Sequence, residues 1–314
     1  MNKGGCFHSK QQVMEESVLI SGGSGLVGNV LTNILLKKGY KVGHISRSKS
    51  SDSRVETIVW DLRSKTIDIE KVVKYDYLIN LVGAGIADKK WTLERKREII
   101  DSRVDSLNFL FEITKNNQHQ FKSIVSASAV GYYGFETSDH IFTEIDKPGN
   151  DFLAETCVKW EKAVFQFNEL NIPTSAVRIG IVLSTDGGAL KELARPIKLY
   201  AGAPLGSGDQ YIPWIHIKDV SNQFIYQMEN KLSGAFNASA DEHKTNAEFT
   251  KDVASVLNKP LILPNVPAFI MKIILGERAM MVLKGNKTSN KKIKDAGFKH
   301  EFSTLKPALE DLYK

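Results

Sequence analysis

Four glycines between residues 22 and 28 restrict the fold more than any other feature of the chain. They read Gly22-Gly23-Ser24-Gly25-Leu26-Val27-Gly28 and follow a short apolar run, Ser17–Ser21 (SVLIS). An amphipathic segment opens at once, from about Leu26 to Lys38, with Val27, Val30, Leu31, Ile34 and Leu35 at helical spacing and Gly39 as its stop. Lys41–Ser46 (KVGHIS) then reads as a second strand. Strand, glycine turn, helix and strand open a doubly wound parallel sheet, because parallel neighbours need a crossover helix. In that setting the first glycine makes the tight turn, the next lets backbone approach a pyrophosphate, and the last lets the helix pack close to the sheet. The helix start offers free N–H groups and a positive dipole end to phosphate. All seven residues from Gly22 to Gly28 are therefore expected to hold a dinucleotide.

The alternation continues. Thr57–Trp60, Tyr77–Val82, Ser123–Ala127 and Thr174–Val182 read as strands, with helices over Ile69–Val73, Thr92–Asn117 and Ala154–Leu170. The strands are apolar throughout, as a sheet covered on both faces requires. After Val182 glycine and proline become frequent. Helices are expected over Lys218–Met228 and Asn246–Leu257 and a strand over Ala235–Ala238; the segments Ala268–Leu275, Glu277–Lys284 and Asn290–Ala296 follow in a helix-rich lobe. The expected class is α/β. A Rossmann-type doubly wound parallel sheet spans 17–182, and a smaller, mostly helical C-terminal substrate lobe spans 183–314 and can return segments to the sheet. Residues 1–16 are polar, lack the apolar stretch of a secretory signal, and are expected to form a disordered tail.

Charge and cysteine usage narrow the partners. Lysine and arginine number 42 against 36 acidic residues, a net +6 that suits a phosphate-bearing small molecule. No dense basic stripe interleaved with aromatics argues for nucleic acid. No apolar run approaches the ~18–20 residues of a membrane span. The two cysteines and the scattered histidines lack metal-ligand spacing, so no metal is expected, and a reducing, cytoplasmic setting is the natural reading. The expected partner is a small-molecule substrate, with a homodimer left open.

The residues after the second strand choose the cofactor. An acidic residue there would bind the ribose hydroxyls of NAD. The chain has Ser46-Arg47-Ser48 instead, and a guanidinium fork suits a 2′-phosphate. NADP(H) is the expected cofactor, with Ser46 and Arg47 as contacts. Asp61, followed by Leu62, ends the third strand; its carboxylate suits either the adenine amino group or the next turn's N–H groups. Leu81, Val82, Gly83 and Ala84 end the fourth long strand, where small residues let backbone lie along the cofactor.

Several blocks then carry a family likeness. They are Gly85–Thr92 (GIADKKWT), Asp101–Val104 (DSRV), Ser126–Gly134 (SASAVGYYG), Asp151–Glu155 (DFLAE), Gly202–Gly208 with Trp214–Asp219 (WIHIKD), and Asn246–Phe249 (NAEF). Together with the glycine turn they resemble the atypical extended short-chain dehydrogenase/reductases called epimerase family proteins, which have their own C-terminal domain. The resemblance implies a Rossmann fold, NADP(H) binding and a substrate lobe at the C-terminal side.

In that superfamily a serine binds the substrate oxygen, and the tyrosine and lysine of a YxxxK motif transfer the proton and hold the nicotinamide ribose. By the resemblance Ser128 takes the serine slot. The other two positions fall on Leu153 and Cys157, which cannot do that work. Tyr132, Tyr133 and Glu155 are the expected replacements as acid or base, and Cys157 reads as a packed thiol. Lys89, Trp91, Arg103, Trp214 and His216 would line the substrate side, a cationic and aromatic set suited to a small anionic ligand. Two functions follow: an NADP(H)-dependent oxidoreductase or epimerase-like enzyme, or a non-catalytic NADP-binding regulatory or scaffold protein, since relatives have been linked to cell division.

Overall fold

The computed structural model describes residues 16–314. The expected tail lies outside the described residues except for Glu16. That carboxylate is anchored: it accepts from the Tyr77 hydroxyl at 3.0 Å and the Lys122 ammonium at 2.7 Å.

Eight strands build the central sheet: β1 (Ser17–Ser21), β2 (Lys41–Ser46), β3 (Glu56–Asp61), β4 (Thr66–Ile67), β5 (Tyr77–Asn80), β6 (Ser123–Ala129), β7 (Thr174–Ile179) and β8 (Gly234–Ala238). Their order in space is β8-β7-β6-β5-β1-β2-β3-β4. Every neighbouring pair is parallel except β3 with β4. The order reverses between β1 and β5, so a crevice opens over their C-terminal ends, where ligands of such sheets bind.

The longer helices among the described residues are α1 (Leu26–Lys37), α2 (Leu93–Asn116), α3 (Phe152–Phe165), α4 (Gly188–Lys198), α5 (Ile217–Glu229), α6 (Asn246–Val256), α7 (Ala268–Leu275) and α8 (Leu305–Tyr313), of which α1, α2, α3 and α5 flank the sheet. α1 packs against α5, and α2 against α3. Right-handed crossovers on either side of the reversal put the two pairs on opposite faces. Side-chain caps fix the starts that matter here. The Thr92 hydroxyl accepts from Arg95 N–H at 3.1 Å, and the Asp151 carboxylate accepts from Leu153 and Ala154 N–H at 2.9 and 3.0 Å. β1 is wholly buried, and its Val18, Leu19 and Ile20 anchor the main core.

One feature departs from the expected outline, and the expected return to the sheet is seen. The strand expected over Thr174–Val182 breaks at Gly180, whose N–H turns to the Ala238 carbonyl at 2.9 Å. Beyond it Ile181–Leu183 leaves the sheet and pairs in parallel with Trp214–His216. The chain then comes back: α5 covers a face of the sheet and β8 extends its edge. Residues after 182 thus supply both a helix and a strand to the first lobe's sheet. The second lobe keeps a core of its own around Leu190, Trp214, Phe249 and Leu305, gathered from α4, α6 and α8.

Candidate dinucleotide and active site

Three glycines of the turn leave no room for a Cβ. Gly22 has φ +83° and lies against the end of β5, so that a Cβ there would sit 3.0 Å from the Leu81 carbonyl carbon. A Cβ on Gly23 would meet the His44 imidazole at 2.5 Å, and one on Gly28 would meet the Gly23 carbonyl oxygen at 2.5 Å. The first hydrogen bond of α1 runs from Asn29 N–H to the Gly25 carbonyl at 2.9 Å. The N–H groups of Leu26, Val27 and Gly28 thus have no acceptor among the described residues, and Gly25 offers no capping side chain. Open donors and a dipole end, on a turn packed too closely at Gly22, Gly23 and Gly28 to carry side chains, are what a diphosphate needs.

Below the turn, the Ser21 hydroxyl donates to Asn80 Oδ1 at 2.6 Å and Asn80 Nδ2 donates to Ser126 Oγ at 3.0 Å. All three are buried. One polar chain therefore ties together the ends of β1, β5 and β6, the floor of the crevice.

At the β2–β3 end, Arg47, Trp60, Asp61, Arg63 and Thr66 line an open cavity of about 430 Å³. Neither arginine makes an ion pair among the described residues. Asp61 Oδ1 accepts from Arg63 N–H at 2.8 Å, and that bond holds its carboxyl below the usual range. Its carboxylate thus caps its own turn, the structural option of the two. Leu62 packs partly into the main core, and Ser46 sits half-buried where β2 ends. Arg63 was absent from the sequence reading. Lying beyond the end of β3, it shares this cavity with Arg47 because β2 and β3 pair.

Leu81, Val82, Gly83 and Ala84 follow the end of β5 at the point where the sheet order reverses. Arg103 from α2 reaches in behind them. Its Nη1 donates to the carbonyls of Ala84 (3.1 Å) and Ile99 (2.8 Å), and its guanidinium carbon lies 4.9 Å from the centre of the Trp160 ring. It pairs with neither Asp101 nor Asp105. Burial pulls its pKa down to about 10.

The proposed acid–base groups are mostly engaged. Ser128 donates to Glu161 Oε1 at 2.7 Å. Arg178 grips both oxygens of that carboxylate at 2.8 Å each and donates Nη1 to the Tyr133 oxygen at 3.0 Å. Tyr133 in turn donates to Asn237 Oδ1 at 2.7 Å. Burial pushes this phenol up to about 12, against the pull of Arg178 and Asn237. Ser128 and Tyr133 thus belong to a closed, buried polar network that joins β6, α3, β7 and β8. Glu155 points to solvent and pairs with Lys159 at 2.6 Å. Tyr132 stacks on the Arg178 guanidinium at 3.4 Å, and its hydroxyl has no protein partner among the described residues. The sequence reading missed Glu161, Arg178 and Asn237 as members of this network. Its one signal was a carboxylate on the apolar face of α3.

A family model for NAD dependent epimerases and dehydratases matches residues 18–239. The chain belongs to that family. A domain of unknown function, DUF1731, matches residues 266–312, the stretch that carries α7 and α8. An epimerase family protein of Staphylococcus aureus is 34% identical over 300 residues, covering 94% of this chain and 98% of the relative. The human epimerase family protein SDR39U1 (isoform 2), solved with NADPH, is 27% identical with a TM-score of 0.82, over 94% of this chain and 98% of that one. A nucleoside-diphosphate sugar epimerase from Corynebacterium glutamicum is also 27% identical, with a TM-score of 0.74, over 96% of this chain and 59% of that one.

In this epimerase-family chain the two residues that the resemblance sets against YxxxK are packed in apolar surroundings. Leu153 and Cys157 are 7% and 4% exposed and face the turn at Gly131. Burial pushes the Cys157 thiol up to about 12, so it stays protonated.

The residues expected on the substrate side divide. Trp91 lines a cavity of about 240 Å³ with Gly134, Phe135, Asp151, Phe152 and Met280; its indole N–H donates to the Ile86 carbonyl at 2.8 Å. Lys89 is exposed on the same loop and makes no ion pair among the described residues. Trp214 and His216 lie elsewhere, which corrects their expected place. Trp214 is a core residue of the second lobe, its indole N–H on the Glu242 carbonyl at 3.1 Å. His216 is fully buried and caps α5, Nδ1 accepting from Lys218 N–H at 3.2 Å. The pairing of Trp214–His216 with Ile181–Leu183 carries them inward, away from the crevice.

Proposed function

We propose that this epimerase-family protein binds NADP(H) and acts on a small anionic substrate as an oxidoreductase or epimerase-like enzyme. One observation carries the cofactor choice: Arg47 and Arg63 share the adenosine-end cavity, with no carboxylate ending β2. A 2′-phosphate offers its oxygens to both guanidinium forks, whereas a bare ribose hydroxyl leaves two cations facing the single carboxylate of Asp61, which is already engaged with its own turn. The NADPH of the human relative supports the same choice.

When bound, the dinucleotide supplies the hydride donor or acceptor. The chain's own residues hold and orient it. The N–H groups of Leu26, Val27 and Gly28 meet the diphosphate, and the Ser21–Asn80–Ser126 chain keeps the floor in place. The backbone of Leu81–Ala84 lies along the ligand. Lys89, on the loop beyond β5, offers an ammonium with no ion pair among the described residues to an anionic group, while the cavity that Trp91 lines also holds Glu136, Asp151 and Glu277. Tyr132 carries the phenol left unengaged for proton transfer. A second reading, NADP binding without turnover, is favoured by the apolar Leu153 and Cys157 and by the inward-turned hydroxyls of Ser128 and Tyr133.

Titration with NADPH and NADH tests the cofactor choice. Arg47→Ala is expected to cost NADPH about 1.5–3 kcal/mol, tenfold or more, and NADH little. Equal loss for both would overturn the assignment.

A further inference from the structure

Arg103 is a cation without an anion. No carboxylate pairs with it among the described residues. Among the described residues only Nη1 has acceptors; Nε and Nη2 have none, and the surface of neither is fully buried. Gly83 is what opens that surface: a Cβ there would sit 2.8 Å from the guanidinium carbon and 2.9 Å from Nη2. The guanidinium therefore borders the crevice at the end of β5. In a sheet of this order the β1–β3 side takes the adenosine half of a dinucleotide and the β5–β6 side takes the other nucleotide. Arg47 and Arg63 mark the first half. Arg103 lies in the second.

Its other neighbours fix its place relative to α3. The guanidinium stacks on Trp160, one helical turn beyond Cys157 and on the same face. Arg103 and Cys157 lie close enough for each to affect the other's ionisation. Cys157 fills the position where the superfamily carries its lysine. A guanidinium that is partly buried and unpaired is costly unless an oxygen-rich ligand compensates it.

We propose that Arg103, reaching from α2, binds the hydroxyls of the nicotinamide-side ribose and so replaces the lysine that Cys157 displaces. The inference rests on the NADP(H) reading above. Arg103 is here a ligand-positioning residue rather than an acid or base. Its planar fork presents Nε and Nη2 side by side, a match for two vicinal hydroxyls.

Two ligands separate this role from general support of the fold. NADPH contains the second ribose; adenosine 2′,5′-bisphosphate lacks it. In the full-length protein, Arg103→Met is expected to weaken NADPH about tenfold or more while leaving the bisphosphate unchanged. Adding Cys157→Lys to that variant is expected to recover NADPH affinity, since a lysine ammonium can reach the space vacated on the same face. Unchanged NADPH binding by Arg103→Met would overturn the proposal, as would equal loss of both ligands. If Arg103→Met does not fold, Arg103→Lys decides by the same pair of titrations. Failure of the unsubstituted protein to bind NADPH is a separate outcome, and removes the cofactor reading itself.

Discussion

Arg178→Met probes the polar network under the site. Arg178 and Glu161 are 3% and 5% exposed, so water compensates little of either charge. The guanidinium holds both carboxylate oxygens at 2.8 Å and the Tyr133 oxygen at 3.0 Å. Methionine replaces much of the volume but leaves Glu161 with the Ser128 hydroxyl alone, at 2.7 Å. Removing one side of a buried pair costs about 3–5 kcal/mol, and the lost bond to Tyr133 adds about 1 kcal/mol. The expected total is about 4–6 kcal/mol, read in urea as a lower midpoint at unchanged slope. Glu161→Leu combined with Arg178→Met removes both charges and should recover most of that loss, because a packed apolar pair is often as stable as a buried ion pair. A loss below about 1 kcal/mol for Arg178→Met, against the range for a broken buried pair, would refute the reasoning. So would a double variant as unstable as the single one.

Gly28→Ala places a Cβ 2.5 Å from the Gly23 carbonyl oxygen, and NADPH affinity in a titration is expected to fall more than tenfold, about 1.4 kcal/mol or above; normal affinity would mean the cradle is looser than its geometry. Burial lowers the His216 pKa from 6.5 to about 4, so between those values the unfolded chain takes up a proton that the native state refuses. Its contribution is fully present above pH 6.5 and lost as pH falls toward 4, about 3 kcal/mol at 1.36 kcal/mol per pH interval of one. His216→Asn keeps a capping side chain and should flatten this acid slope in urea midpoints taken between pH 7 and 4.5; an unaltered slope would exclude His216 as its source. Ser128→Ala should cost about 1–2 kcal/mol of stability and spare NADPH affinity; a stable variant that loses the cofactor would reverse the structural role given to that hydroxyl.

The sequence was most legible where local chemistry decides the outcome. The strand, glycine turn and helix of residues 17–38 fall within a residue of their expected bounds, because Gly22–Gly28 permits little else. The long helix starts where Thr92 can cap it. The Thr174–Val182 strand was misjudged because its apolar run continues past Gly180, and only the approach of Pro213 and Ala238 makes the chain turn there. Trp214 and His216 carry chemistry fit for a cleft, but residue type does not say which way a short strand faces. Arg63 was missed for a related reason. Its partnership with Arg47 is a property of β2–β3 register, not of either residue's neighbours. The engagement of Ser128 and Tyr133 needed Arg178 and Asn237, contributed by two other strands.

The return of β8 has a consequence for synthesis. Until Gly234–Ala238 leaves the ribosome, β7 is the outer strand, and its Ala176 and Val177 belong to the core. Roughly fifty residues separate the two strands, so at 5–20 residues per second a growing chain shows that open edge for roughly 3–10 s. An unpaired, apolar edge is a template for pairing with another chain. The nascent protein is therefore at greatest risk of aggregation after its nucleotide crevice has been made and before its sheet is closed, an interval in which cofactor binding and chaperone capture compete for the same half-finished fold.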